Sequence, residues 1–327
     1  MMDNGKYLFV RVLEACNADC FMCGFALSRD RYRLPPDEFS TLLSQAKGLG
    51  VGYVRFTGGE PLMHKEILSL IRVGSEMPTQ VSLITNGFSL PLMARDLAQA
   101  GLNQVIVSID AAYAAQHDEY RNTPGLFAKA FSGIEEALRH SISVRVNTVV
   151  GPHNYQDMPM LGRALKEAGV SHWELSALKL SSEITYPDRE DVLRAGEEVF
   201  SGSGLVPMGK RWYGDTEEEQ DRYFDQGIPP RPSGPVCRVT DDVMYLDAKA
   251  GYLFPCSLLP HRSTPALYGA QVRSADGTYT LDSPKFEERR QFFRQNGASI
   301  CTGCSSSAAG YSDDRALSQE NLPAWSY

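Results

Sequence analysis

A strand followed by a helix recurs six times across the first two-thirds of this 327-residue chain, and no other feature constrains its fold so tightly. The strand candidates are residues 7–13, 53–57, 81–85, 105–109, 144–149 and 173–178. Several are near-continuous runs of valine, isoleucine and leucine, as parallel strands covered on both faces require. Segments with helical spacing lie between them, at 39–49, 67–74, 94–101, 128–140 and 160–169. Two of these close on Ala-Gly (Gly101 and Gly169), a helix C-terminal signal. Strands and helices alternating through short links predict a parallel α/β sheet or barrel. After about Tyr186 the rhythm changes. A helix is expected over 188–200, then a polar linker with GIPPRPSGP at 227–235, then a turn-rich remainder.

Composition narrows the class of protein. A net charge of −8 argues against a general nucleic-acid or membrane-surface binder. The N-terminus MMDNGKYLFVRV lacks the apolar core and cleavage site of a signal peptide, and no apolar run approaches a membrane span. A soluble cytoplasmic protein is the expectation. In a reducing compartment its seven cysteines point to metal or catalysis before disulfides.

Reactive groups of α/β barrels collect where strands end, and every unusual motif here falls at such a place. Cys16, Cys20 and Cys23 follow the first strand with C-x3-C-x2-C spacing. Three thiolates can hold three irons of a 4Fe–4S cluster and leave the fourth open for chemistry. Zinc would want a fourth ligand nearby, and the first histidine is His64. Thr57-Gly58-Gly59-Glu60-Pro61 follows the second strand and Thr85-Asn86-Gly87 the third. Ser108 and Asp110 close the fourth, Asn147 lies late in the fifth, and Ser176 and Lys179 close the sixth.

The cysteine trio followed by Gly58-Gly59-Glu60 resembles the radical S-adenosylmethionine (radical SAM) enzymes. The resemblance implies a partial (β/α)6 TIM-like barrel over 1–203, with the open iron chelated by the methionine moiety of S-adenosylmethionine. Gly58, Gly59 and Glu60 would lie beside its ammonium group. Asn86, Ser108, Asp110, Asn147 and Leu178 would line the rest of the cosubstrate, and Arg121 would pair with its carboxylate. Each polar residue taken singly also reads as an ordinary strand-end group, and Arg121 as a solvated helix-end cation. Met22 stands before Cys23 where many relatives carry an aromatic, and methionine can still pack there.

The other four cysteines, Cys237, Cys256, Cys301 and Cys304, lie in the remainder. A structural zinc site would suit Cys301 and Cys304. The wide spacing resembles instead a twitch domain, a shortened SPASM module holding an auxiliary, fully ligated 4Fe–4S cluster. The expected organisation is therefore barrel at 1–203, linker at 204–235 and twitch-like module at 236–327, with two 4Fe–4S clusters and S-adenosylmethionine as cofactors. A flavodoxin or ferredoxin would be the electron donor.

Three plus four uses every cysteine, so no thiol is left to give hydrogen to a product radical, which disfavours epimerisation. Only fifteen residues precede Cys16, which favours a small-molecule substrate over a leader-bearing peptide. Three stretches, EACNADCFMCGFALSRD, VGYVRFTGGEPL and RVNTVVGPHNY, resemble the cytosylglucuronate decarboxylases of peptidyl-nucleoside antibiotic pathways. That implies hydrogen abstraction at C4′ of a glucuronyl nucleoside and loss of CO2 from C5′. Lys179, Glu183 and Arg262 are the candidate substrate-handling groups, the cations facing the carboxylate. The rival is a radical SAM dehydrogenase, or an epimerase, acting on a hydroxyl of a sugar or aminocyclitol. An electron-transfer protein and a zinc-stabilised binding module are the readings from other classes.

Overall fold

Each apolar run forms a strand within two residues of the expected bounds. The strands are β1 (Lys6–Leu13), β2 (Val51–Gly58), β3 (Gln80–Thr85), β4 (Gln104–Ser108), β5 (Ser143–Val150) and β6 (His172–Ala177). The computed structural model describes residues 6–25, 28–77, 79–202, 204–230, 239–257 and 268–300. The fold is α/β with a parallel-dominated sheet, the partial (β/α)6 arrangement expected. Helices α1 (Pro36–Gly48), α2 (Ile67–Glu76), α3 (Leu90–Gln99), α4 (Ala114–Tyr120), α5 (Leu126–Arg139) and α6 (Met158–Glu167) alternate with the strands, α4 and α5 sharing one link.

The chain divides into two units. The first comprises Met1–Ser108, Asp118–Val144 and Thr240–Phe293, the second Ile109–His117, Arg145–Val239 and Arg294–Tyr327. In the first, strand order is β4-β3-β2-β1, all parallel, and β1 is buried along nearly its whole length. Helix α5 buries Leu126, Ala130, Ile134 and Ala137, a stripe at helical spacing, and its Gly133 sits against Leu90 of α3. In the second unit β5 and β6 pair in parallel, and Trp173 packs where α6 carries only Gly162.

Helix α9 (Val239–Asp242) leads into β7 (Val243–Asp247), which pairs in parallel with β1, matching Phe9 to Tyr245. Strands β8 (Tyr252–Phe254) and β9 (Ala270–Gln271) extend that edge antiparallel, and α10 (Pro284–Ile300) follows. This stretch adds strands to the β1 edge, and β7 is buried along its whole length, ending in Asp247, which pairs with Arg11 of β1. Within the expected linker, α8 (Glu217–Gln226) forms after α7 (Arg189–Ser201). A capping box between Thr216 and Glu219 starts it, and Tyr223 is its buried anchor.

Strand register also places charge inside the first unit. Tyr245, Phe9, Arg55, Ser82 and Gln104 are successive cross-strand partners, hence on one face. The Arg55 guanidinium lies 5.1 Å from the Phe9 ring centroid and its Nε donates to Ser82 Oγ at 3.1 Å. Burial lowers its pKa to about 10. No helix among the described residues is long and apolar enough to cross a membrane.

Candidate active site

The loop after β1 carries Cys16, Cys20 and Cys23, half-buried, buried and exposed respectively. Each sulfur accepts an N–H. Ala18 N donates to Cys16 Sγ at 3.5 Å, Phe25 N to Cys23 Sγ at 3.4 Å, and Arg121 Nη1 to Cys20 Sγ at 3.7 Å. Backbone bonds from Asp19 N to Arg121 O (3.2 Å) and Phe21 N to Tyr120 O (3.4 Å) hold this loop against the end of α4. Burial pushes the Cys16 thiol up to about 11, so ligation there must displace a proton. No group of three or more His, Cys, Asp or Glu among the described residues could hold a single metal ion. Cluster thiolates need not converge on one point, since each ligates its own iron. Three thiols on one loop, every sulfur with an N–H donor, fit a 4Fe–4S cluster, because such bonds stabilise the thiolates and tune the potential.

The β2 end lies directly on this loop. Gly59 N donates to Leu13 O at 3.1 Å and Glu60 N to Ala15 O at 2.8 Å, carrying the parallel ladder past β1 towards Cys16. The approach requires glycine. A Cβ on Gly58 (φ 151°) would stand 2.2 Å from Leu13 O, and one on Gly59 would stand 2.2 Å from Ala15 O and 2.3 Å from Glu14 O.

Glu60 is buried, and its carboxylate accepts from Leu62 N (2.9 Å), Thr85 Oγ1 (2.7 Å) and Asn86 N (2.7 Å). Burial raises its pKa against these three bonds. Glu60 thus ties the ends of β2 and β3 together. Asn86 reaches the cysteine loop through its Nδ2, which donates to Asn17 Oδ1 at 2.8 Å. Ser108 ends β4, half-buried. Gly58, Gly59, Glu60 and Asn86 therefore meet the cysteine loop, with Arg121 on the sulfur of Cys20.

The second unit holds the others. Asp110 Oδ1 accepts from Val149 N at 2.9 Å, and its backbone N donates to His117 Nδ1 at 3.1 Å. Asn147 lies mid-strand, its Oδ1 accepting from Arg145 Nε at 3.0 Å while Arg145 also pairs with Glu174. Both side chains brace β5 as placed. Leu178 follows β6, its N donating to Val150 O at 2.7 Å and its O accepting from Tyr223 Oη at 2.9 Å. Lys179 and Glu183 are exposed beyond β6. Of the auxiliary set, Cys256 is half-buried just after β8. Cys237, Cys301, Cys304 and Arg262 lie outside the described residues.

Two groups escaped the sequence reading. Arg55 interrupts an apolar strand, a charge whose placement inside the fold was the available signal. His64, three residues past Pro61, is buried with Nε2–H on Leu34 O (3.1 Å) and Nδ1 accepting from Glu66 N (3.1 Å), which defines a neutral tautomer. Burial, with Arg33 nearby, lowers its pKa to about 4. A depressed histidine contributes stability that is full above about 6.5 and lost as pH falls through about 4. In urea melts of the cluster-free protein, His64→Gln is expected to remove about 1–2 kcal/mol of that pH-dependent loss, once solvent screening is allowed for. Equal pH slopes would refute the assignment.

Arg121 supports a second expectation. Reduction adds negative charge beside Cys20, and a neighbouring cation favours it. Arg121→Gln should lower the cluster's potential and slow S-adenosylmethionine cleavage about 10–100-fold. An unshifted midpoint in a potentiometric titration followed by electron paramagnetic resonance would disprove the role.

Residues 10–165 match the family model of the Radical SAM superfamily. The AdoMet-dependent heme synthase of Methanosarcina barkeri is 31% identical over 172 residues, 51% of this chain and 49% of that protein. The GTP 3′,8-cyclase of Clostridium acetobutylicum is 32% identical over 153 residues, 45% of this chain and 48% of the relative. The chain spans about half the length of these curated relatives. Streptococcus suis SuiB bound to S-adenosylmethionine superposes with a TM-score of 0.64 at 18% identity, over 88% of this chain and 68% of that one. Native anSMEcpe with bound AdoMet gives 0.61 at 14% identity, over 88% and 87%. These two establish the fold.

Proposed function

We propose that the chain is a radical SAM enzyme acting on a small molecule, and that its reaction is loss of CO2 from a glucuronyl nucleoside of the cytosylglucuronic acid type. The observation that carries the radical reading is the cysteine loop, whose three sulfurs each receive an N–H while the Gly58-Gly59 backbone is pressed against it. When bound, the cluster and S-adenosylmethionine supply a 5′-deoxyadenosyl radical that removes hydrogen from substrate.

The chain's own residues orient and protect. Arg121 keeps positive charge at Cys20, Glu60 locks the β2 and β3 ends, and Asn86 steadies the cysteine loop through Asn17. Gly58 and Gly59 let the β2 end press against the cysteine loop, and their backbone is assigned to the ammonium group of the cosubstrate. Asp110, Asn147 and Leu178, in the second unit, are assigned to the cosubstrate on the family resemblance. Lys179, exposed and without an ion-pair partner among the described residues, is assigned to the substrate carboxylate together with Arg262, and Glu183 to the proton of the reacting hydroxyl. Cys237, Cys256, Cys301 and Cys304 are assigned to an auxiliary cluster. The net change, carboxylate and proton to hydrogen and CO2, is redox-neutral.

The decarboxylase reading rests on the local sequence resemblance, since the relatives bear the names of a cyclase and a heme synthase. Anaerobically reconstituted, dithionite-reduced protein incubated with S-adenosylmethionine and cytosylglucuronic acid is expected to release CO2 together with 5′-deoxyadenosine, followed by mass spectrometry. A ketone product without CO2 would replace decarboxylation by dehydrogenation. No cosubstrate cleavage would remove the radical reading.

A further inference from the structure

Beside the cysteine loop lies a surface cavity of about 590 Å³, lined by Cys16 itself, by residues 28–31 and Arg33, and by residues 63–66 after the glycine turn. Its walls hold Arg29, Arg31, Arg33 and Lys65 against Asp30 and Glu66, four cations to two carboxylates in a chain of net charge −8. His64 adds no charge near neutrality, because its pKa is lowered to about 4 by burial.

The inner polar groups are already satisfied. Arg33 Nη1 donates to Asp30 O (2.9 Å) and Tyr32 O (2.7 Å). Asp30 accepts from Tyr32 N (2.8 Å) and Lys249 Nζ (2.7 Å), and both His64 ring nitrogens are bonded. Arg33 is spent on carbonyl oxygens, and the exposed rim groups without an ion-pair partner among the described residues are Arg29, Arg31, Lys65 and Glu66, three cations to one carboxylate. A small-ligand pocket shows the reverse pattern, with unsatisfied polar groups converging inside. A saturated floor under a free cationic rim suits a macromolecule carrying negative charge.

We propose that this basic rim is where an acidic one-electron carrier protein docks to reduce the cluster held by Cys16, Cys20 and Cys23. The inference rests on the radical SAM reading and adds the surface through which the electron arrives. The carrier gives up one electron, the cluster takes one, and no atom is transferred. Cys16 is among the residues lining the cavity, so among the described residues a carrier seated on the rim stands against a cluster ligand.

The test uses reconstituted holoprotein and flavodoxin as the probe. Binding is measured by fluorescence anisotropy at low and high salt for wild type and for the Arg29→Glu/Arg31→Glu/Lys65→Glu variant. Wild-type affinity should fall with salt, and charge reversal should weaken low-salt binding at least about tenfold. Dithionite, a small reductant needing no docking, should drive S-adenosylmethionine cleavage equally in both proteins. Unchanged affinity in the variant, or salt-independent binding in wild type, overturns the docking surface. Loss of the dithionite-driven reaction in the variant alone also overturns it, since the cations would then serve the site itself. Failure of the parent reading is separate, because it appears in the wild type as no cleavage with dithionite.

Discussion

Cys20→Ala is expected to yield a folded protein whose three-thiol cluster does not assemble and whose S-adenosylmethionine cleavage falls to background. Cys20 is the buried member of the trio, and it carries the Arg121 contact that links the loop to the end of α4. Removing it takes away one iron's thiolate and leaves a buried guanidinium facing a methyl group, so no neighbouring group can substitute. Iron and sulfide content, with the cluster's absorbance, read the loss directly. Cys256→Ala is the informative contrast. It should retain the radical site and uncoupled cosubstrate cleavage while losing substrate turnover. A Cys20→Ala protein with a full cluster complement would remove the basis of the assignment.

Gly59→Ala is expected to have the next largest effect, although it adds one methyl group. The new Cβ would stand within 2.3 Å of two carbonyl oxygens, Ala15 O and Glu14 O, and neither belongs to a side chain that could swing away. Either the β2 end or the cysteine loop must move. Overpacking of this kind costs about 1–3 kcal/mol, and a displacement near 1 Å at reacting groups can cost about a hundredfold in rate. S-adenosylmethionine cleavage should therefore fall about a hundredfold while the melting transition moves only modestly. Gly48→Ala is the control: Gly48 ends α1 with open space at its Cβ position, so the change should be neutral or slightly stabilising. Equal behaviour of the two variants would mean that the close approach has no functional weight.

Much of the fold was legible because strands and helices covered on their apolar faces advertise themselves by period. The six strands and the helices between them followed valine, isoleucine and leucine. Elements with little apolar surface did not. Helix α8 has a Glu-rich start and one buried anchor, Tyr223, and its best signal was the capping box from Thr216 to Glu219. Helix α4 is seven residues long and buries only His117. Strand β7 looks apolar in sequence, but nothing local states that its partner is β1, more than two hundred residues earlier.

The amino-acid sequence by itself determined the chemistry on offer. Three thiols with C-x3-C-x2-C spacing on one loop, and a glycine pair at the next strand end, are local facts, since spacing and backbone freedom reside in the chain. Tertiary structure alone decided what surrounds them. It set Arg121 on the sulfur of Cys20, spent the Glu60 carboxylate on Thr85 and Asn86, buried Arg55 among aromatic rings and left Arg29, Arg31 and Lys65 free on the rim. A charged side chain's role depends on which partners lie within hydrogen-bonding distance and how much water remains around it, and both are set by contacts between residues far apart in sequence.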